Sequence, residues 1–205
     1  MKKISLKNGW SSITYSEFEE LTQILAADIP EDYKVVNLLS ILSGLTTTEI
    51  ESLPIRKIQS LLPHLEFLKT PPQETKHKDV YEVNGRKYIL QAYVPAITTA
   101  QYLDYSNYMK DDKDIIKLTS CFLVPEGHEY NDGYNIEQVW LDINDMCFMD
   151  VRAIAFFLRN QYAALQLISI DSLRKQMKKM KIKKKQIKEA VAPLNNMVSS
   201  LLSSK

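Results

Sequence analysis

Apolar residues recur at intervals of three and four over most of this chain, and that spacing predicts helices. The first run is Phe18, Leu21, Ile24 and Leu25. Thr14 and Glu17 open it as a capping box, in which the hydroxyl takes a free first-turn amide and the carboxylate answers the cap amide. Pro30 ends the run. A second helix is predicted from about Glu31 to Gly44, with Val35, Leu38, Leu39 and Leu42 on one face and the glycine as a left-handed stop. Thr46 and Glu49 repeat the capping box for a short turn through Leu53. Pro54 suits a first helical position, and Ile55, Ile58, Leu61, Leu62, Leu65 and Leu68 continue a stripe to Lys69, kinked or restarted at Pro63.

The period then changes. Gln73 to Asp79 is polar and reads as a linker. Val80 to Leu90 alternates about Asn84-Gly85, the strongest short hairpin signal. A lone hairpin is marginal in water, so it must pack on helices or pair with another strand. The strand available for such pairing is a short edge strand over Met1 to Lys7, where Ile4 and Leu6 alternate with polar residues before the Asn8-Gly9 turn.

Helical spacing returns after Thr98, which with Gln101 forms a third capping-box pattern opening a helix to about Met109. Asp111 to Asp114 reads as an acidic turn. Ile115 to Leu123 reads as a helix stopped by Pro125, Glu126 to Asn135 as loop, and Ile136 to Ile143 as a short helix. Asn144 or Asp145 is the expected cap of a longer helix, Cys147 to Ile168. Its face of Phe148, Val151, Ile154, Ala155, Leu158, Tyr162 and Leu165, with Phe156 and Phe157 beside it, marks a central core helix.

After Asp171 the spacing tightens into a seam of Leu173, Met177, Met180, Ile187, Val191, Leu194, Val198 and Leu201, alternating four and three with one skipped place at Lys184. Arg174, Lys175, Lys178, Lys179, Lys181, Lys183, Lys185 and Lys188 form a basic face. Such a helix is not stable alone, and Pro193 interrupts its hydrogen bonding, so the seam needs a partner. Three readings stand: a solvated helix docked on its own body, a partner-binding helix, and a nucleic-acid-binding tail. The third is not favoured, since only Arg174 offers a bidentate donor and no aromatic residue is interleaved for stacking.

Charge sharpens this picture. The formal net charge of +1 over 205 residues conceals a split. Up to Ile170 there are 16 Lys+Arg against 23 Asp+Glu, and from Asp171 onward 10 against 2, a net of −7 and of +8. The expected fold is therefore α+β and mostly α-helical: a helical N-terminal block, one β-hairpin at about 80–92, and a helical C-terminal half ending in a long basic helix. The expected division is a globular domain 1–170, with a polar linker at 70–79, and a basic amphipathic tail 171–205.

No catalytic pattern emerges. Five glycines fall in no phosphate-loop spacing. Cys121 and Cys147 lack the four well-placed ligands a zinc site needs, and two buried thiols are the simpler reading. His64, His77 and His128 lie far apart. Asp142, Asn144 and Asp145 faintly resemble a calcium loop that lacks its glycine and terminal glutamate. No enzyme, cofactor or metal is expected. No segment reads as a signal peptide or a membrane span, which leads to an expectation of a cytoplasmic protein.

The order WSSITYSEFEELTQIL followed by NLLSILSGLTTTEIESLPIRKIQSLLPHLEFL resembles tail assembly chaperones and small tail-cluster proteins of long-tailed bacteriophages. The matching features are Ile13-Thr14 with Phe18, Leu38 to Leu45, Thr46 to Glu49, and Phe67-Leu68. The hairpin KDVYEVNGRKYIL and TTAQYLDYSNYM look like the continuation, so the resemblance covers roughly 10 to 160. It implies a non-enzymatic chaperone or adaptor in the host bacterial cytoplasm. Its implied partners are the tape-measure and tail-tube proteins, with self-association as an alternative. A structural protein retained in the virion is the other reading.

Overall fold

The computed structural model describes residues 4–93, 96–109 and 115–179, together with 188, 189, 191–193, 195, 196 and 199. Four helices build the N-terminal block: α1 (Tyr15–Ala26), α2 (Glu31–Ser43), α3 (Thr47–Glu51) and α4 (Ile55–Leu61). Both capping boxes form as the sequence predicts, Thr14 with Glu17 and Thr46 with Glu49. Gly44 stops α2 at φ 69°, in the left-handed region where a side chain is costly.

Three expectations in this block need correction. Ile4 to Lys7 form no strand: the Lys7 amide donates to the Leu42 carbonyl at the end of α2, and Ile4 and Leu6 pack into the helical core instead. Pro54 is the cap before α4 rather than its first residue. The stripe through Pro63 does not continue as α-helix: Leu62–Lys69 tightens into a 3-10 helix, because proline cannot supply the amide the ladder needs. Ile55 falls off the buried face and is 76% exposed.

The hairpin forms as read, with β1 (Val80–Val83) antiparallel to β2 (Arg86–Leu90) and Val83 opposite Arg86. Asn84 and Gly85 both have positive φ, 52° and 75°, as a two-residue hairpin turn requires. Its third strand begins at Leu123, the last residue of an expected helix. The helix α6 stops early (Ile115–Ser120), and β3 (Leu123–Pro125) pairs antiparallel with β2, Leu90 opposite Leu123. Leu123 and Val124 are fully buried, so a short apolar run next to a helix becomes an edge strand once β2 is there to receive it.

α7 (Ile136–Asp145) packs on this sheet, and α5 (Thr99–Tyr108) packs against α6. Thr98 caps α5 through the Gln101 amide, yet the reciprocal half of the box is missing. Gln101 is 3% exposed and its amide group donates to the Cys121 carbonyl at 2.7 Å, tying α5 to the end of α6. Asn135 caps α7.

The longest element is α8 (Phe148–Lys179). Val151, Ile154, Leu158 and Tyr162 are buried along it, as a central core helix requires, while Phe156 faces outward at 54% exposure. Neither Asn144 nor Asp145 caps it. Asn144 bonds back to the Trp140 carbonyl and Asp145 accepts from Asn84. The start of α8 is tied to α1 by the backbone, Phe148 N–H to the Ile13 carbonyl and Tyr15 N–H to the Met146 carbonyl. Phe18 stacks on Phe148 at 3.7 Å, with Trp10 edge-on or tilted beside Phe18, Phe67 and Phe148. The residues read as a polar linker lie along α8. Arg152 donates to the Pro72 carbonyl, Thr75 to the Met149 carbonyl, Lys78 pairs with Asp150 at 2.9 Å, and His77 stacks on Phe157. The expected boundary at 170/171 falls inside α8, and the acidic turn expected at 111–114 lies outside the described residues.

Candidate functional site

The densest polar cluster lies between the hairpin and α7. Asp142, 1% exposed, receives Arg86 through two bonds of 2.6 and 2.7 Å, and the Tyr88 hydroxyl. Asn84 donates to it at 3.0 Å and Gln138, one turn earlier on α7, at 3.2 Å. Burial by itself pushes a carboxyl up, but these donors outweigh it and hold Asp142 well below the usual carboxylate range. Tyr88 is pushed up to about 12 by burial and by the charge it faces. The pattern fits a clasp rather than a catalytic acid: every direction from which a substrate proton would approach is taken by a protein donor. Sequence reading saw only a faint calcium loop at Asp142. Three of its partners, Asn84, Arg86 and Tyr88, stand 54 to 58 residues away along the chain, and no local spacing announces them.

A second cluster surrounds Cys121. Its thiol donates to the Lys117 carbonyl at 3.3 Å, and the Tyr130 hydroxyl binds Asp104 at 2.8 Å. Burial pushes the Cys121 thiol up to about 12, so it stays protonated, and a protonated buried thiol is a poor nucleophile. Cys147 is half-buried rather than buried, which corrects the expectation of two buried thiols in part. His64 is exposed, and His128 stands 3.6 Å from Asp132 in its loop. Among the described residues no group of three or more His, Cys, Asp or Glu is placed to hold a metal ion, and no helix is long and apolar enough to cross a membrane.

Between α5 and α8 lies an apolar cleft lined by Ala92, Ile97, Tyr102, Tyr105, Phe122 and Tyr162. It leaves about 10 Å³ for the centre of a water-sized body, room for one water. A small-molecule site needs roughly 300 Å³ or more. The Tyr105 hydroxyl closes its floor on the Leu158 carbonyl at 3.0 Å.

The expected partner-binding seam meets the described structure at few points. Leu173, Arg174, Met177, Lys178 and Lys179 stand on α8, but their side chains lie outside the described residues. So do Met180, Lys181, Lys183, Lys185, Ile187, Leu194, Val198 and Leu201 entirely. Lys175 and Lys188 are exposed. Val191 is 1% exposed, so this chain itself already covers that seam position, while its neighbours Ala192 and Pro193 stay in solvent. The described surface carries the cations Lys175 and Lys188 toward the C-terminus, and on the N-terminal block the exposed apolar side chains Leu25, Ile29, Tyr33 and Ile55. Comparison with protein-family models, curated proteins and solved structures finds no match to this chain.

Proposed function

We propose that this chain is a non-enzymatic bacteriophage tail assembly protein, a chaperone or adaptor for the tape-measure and tail-tube proteins in the host cytoplasm. The observation that carries the reading is the spacing of the C-terminal sequence, an apolar seam with lysines mostly on the other faces, which begins on α8, a helix whose first half is core and whose end carries exposed Lys175. A helix of that kind suits burial against an amphipathic partner, with its lysines steering the encounter. The resemblance over roughly 10 to 160 names the partner class: a long tape-measure helix displays apolar stripes before the tube encloses it.

The test is co-expression of the chain with the tape-measure protein of the same phage. The reading expects the tape measure to become soluble and to co-purify with the chain. A tape measure that stays insoluble and unbound overturns it. Mass spectrometry of purified virions separates a chaperone, absent from the particle, from the alternative of a structural protein retained there.

A further inference from the structure

Leu25, Ile29 and Tyr33 are 46%, 37% and 60% exposed at the corner where α1 turns into α2. They are spaced four residues apart, and only Ala27 to Pro30 separate the two helices. The exposed acids Glu20, Asp28, Glu31 and Asp32 flank them. The nearest cation along the chain, Lys34, is already paired with Glu31 at 3.2 Å. The corner therefore carries exposed apolar side chains among exposed acids. The same chain carries its complement at the end of α8: Leu173 and Met177, also four apart, among Arg174, Lys175, Lys178 and Lys179.

Distance keeps these two features apart within one chain. Phe18 of α1 stacks on Phe148, the first residue of α8, at 3.7 Å. Leu25 lies about 10 Å along α1 from Phe18, while Lys175 lies about 40 Å along α8 from Phe148 at the helical rise per residue. On those lengths the basic end of α8 lies roughly 20 Å or more away from its own corner. We infer that the acid-rimmed corner of α1 and α2 receives the basic end of α8 from a second copy of this chain. The arrangement is reciprocal, each copy giving one helix end and one corner, which closes a two-fold dimer. Opposite charge brings the ends together.

This inference rests on the basic segment being a binding element, as proposed above, and is tested on the full chain by sedimentation over a concentration series. The wild type is expected to dimerise below about 100 µM and to weaken as salt rises. Two variants reverse the charges separately: Glu20→Lys with Asp28→Lys and Asp32→Lys, and Lys175→Glu with Lys178→Glu and Lys179→Glu. Each alone is expected to weaken self-association by about tenfold or more. Their equimolar mixture is expected to restore it, since only the mixture sets opposite charges against each other. A wild type that stays monomeric overturns the inference, as do folded variants that dimerise like wild type. A mixture that does not recover also overturns it, and points to docking within one chain or to another partner. Retained tape-measure binding in a chain that does not self-associate ends this inference alone. Self-association without tape-measure binding ends the assembly reading alone.

Discussion

Asp142 shows how much one side chain carries here. Its carboxylate is buried with Arg86, Tyr88, Asn84 and Gln138 turned toward it, so removing the charge leaves several donors facing nothing. Asp142→Ala is expected to lower stability by about 3 kcal/mol in chemical denaturation. The pH dependence follows from the direction of its shift. A carboxyl held below its unfolded value of roughly 4 contributes fully above that pH and loses the contribution as pH falls toward its folded value. Thermal melts from neutral to acid should show the wild type losing stability below about pH 4, with Asp142→Asn less stable at neutral pH and flatter on the acid side. Equal acid slopes would show that another group controls this limb. The two thiols give a second residue-scale prediction. Cys121 is buried and held protonated, whereas Cys147 is half-buried beside the Ser11 carbonyl. Alkylation of the folded protein at mildly alkaline pH should therefore modify Cys147 first, and Cys121 only on unfolding; peptide mapping reads the order.

Among the elements, the hairpin and α5 contrast local with distant control. Asn84-Gly85 specifies its own turn, and Gly85 at φ 75° has open space around it, so the cost of a side chain there is conformational rather than steric. Gly85→Ala is expected to cost about 1 kcal/mol by denaturant midpoint, without disturbing the fold. The sequence pattern at Thr98 and Gln101 equals the two capping boxes that do form, yet Gln101 turns inward. A buried carbonyl at Cys121 needs a donor more than the solvent-side cap amide does, because water serves the second and not the first. The third strand has the same origin: Leu123 to Pro125 extends because β2 offers a ladder and a buried face, which no local pattern reports.

The whole molecule is held together where α1 meets α8. Trp10, Phe18, Phe67 and Phe148 form one aromatic cluster, and Phe18 and Phe148 join the two largest core groups. The N-terminal block and the sheet-bearing half should then unfold together. Tryptophan fluorescence, from Trp10 in one half and Trp140 in the other, is expected to give the same midpoint as far-ultraviolet circular dichroism. Phe148→Ala is expected to cost about 3–5 kcal/mol and to separate the two transitions. Coincident transitions in that variant would show the halves are coupled elsewhere, for instance through the chain 72–78 laid along α8.

The sequence by itself determined the helices of the N-terminal block, their two reciprocal caps, the hairpin turn and the apolar face of α8. These are decided by groups within about four residues of one another, where spacing is enough. It also determined the charge split between body and C-terminus, which is a matter of counting. The tertiary structure alone decided the Asp142 clasp, the inward turn of Gln101, the third strand, the packing of Pro72 to Lys78 on α8 and the burial of Val191. Most of these join groups twenty or more residues apart along the chain, and where the pair is buried its energy comes from exclusion of water, which is set only when the chain has closed on itself.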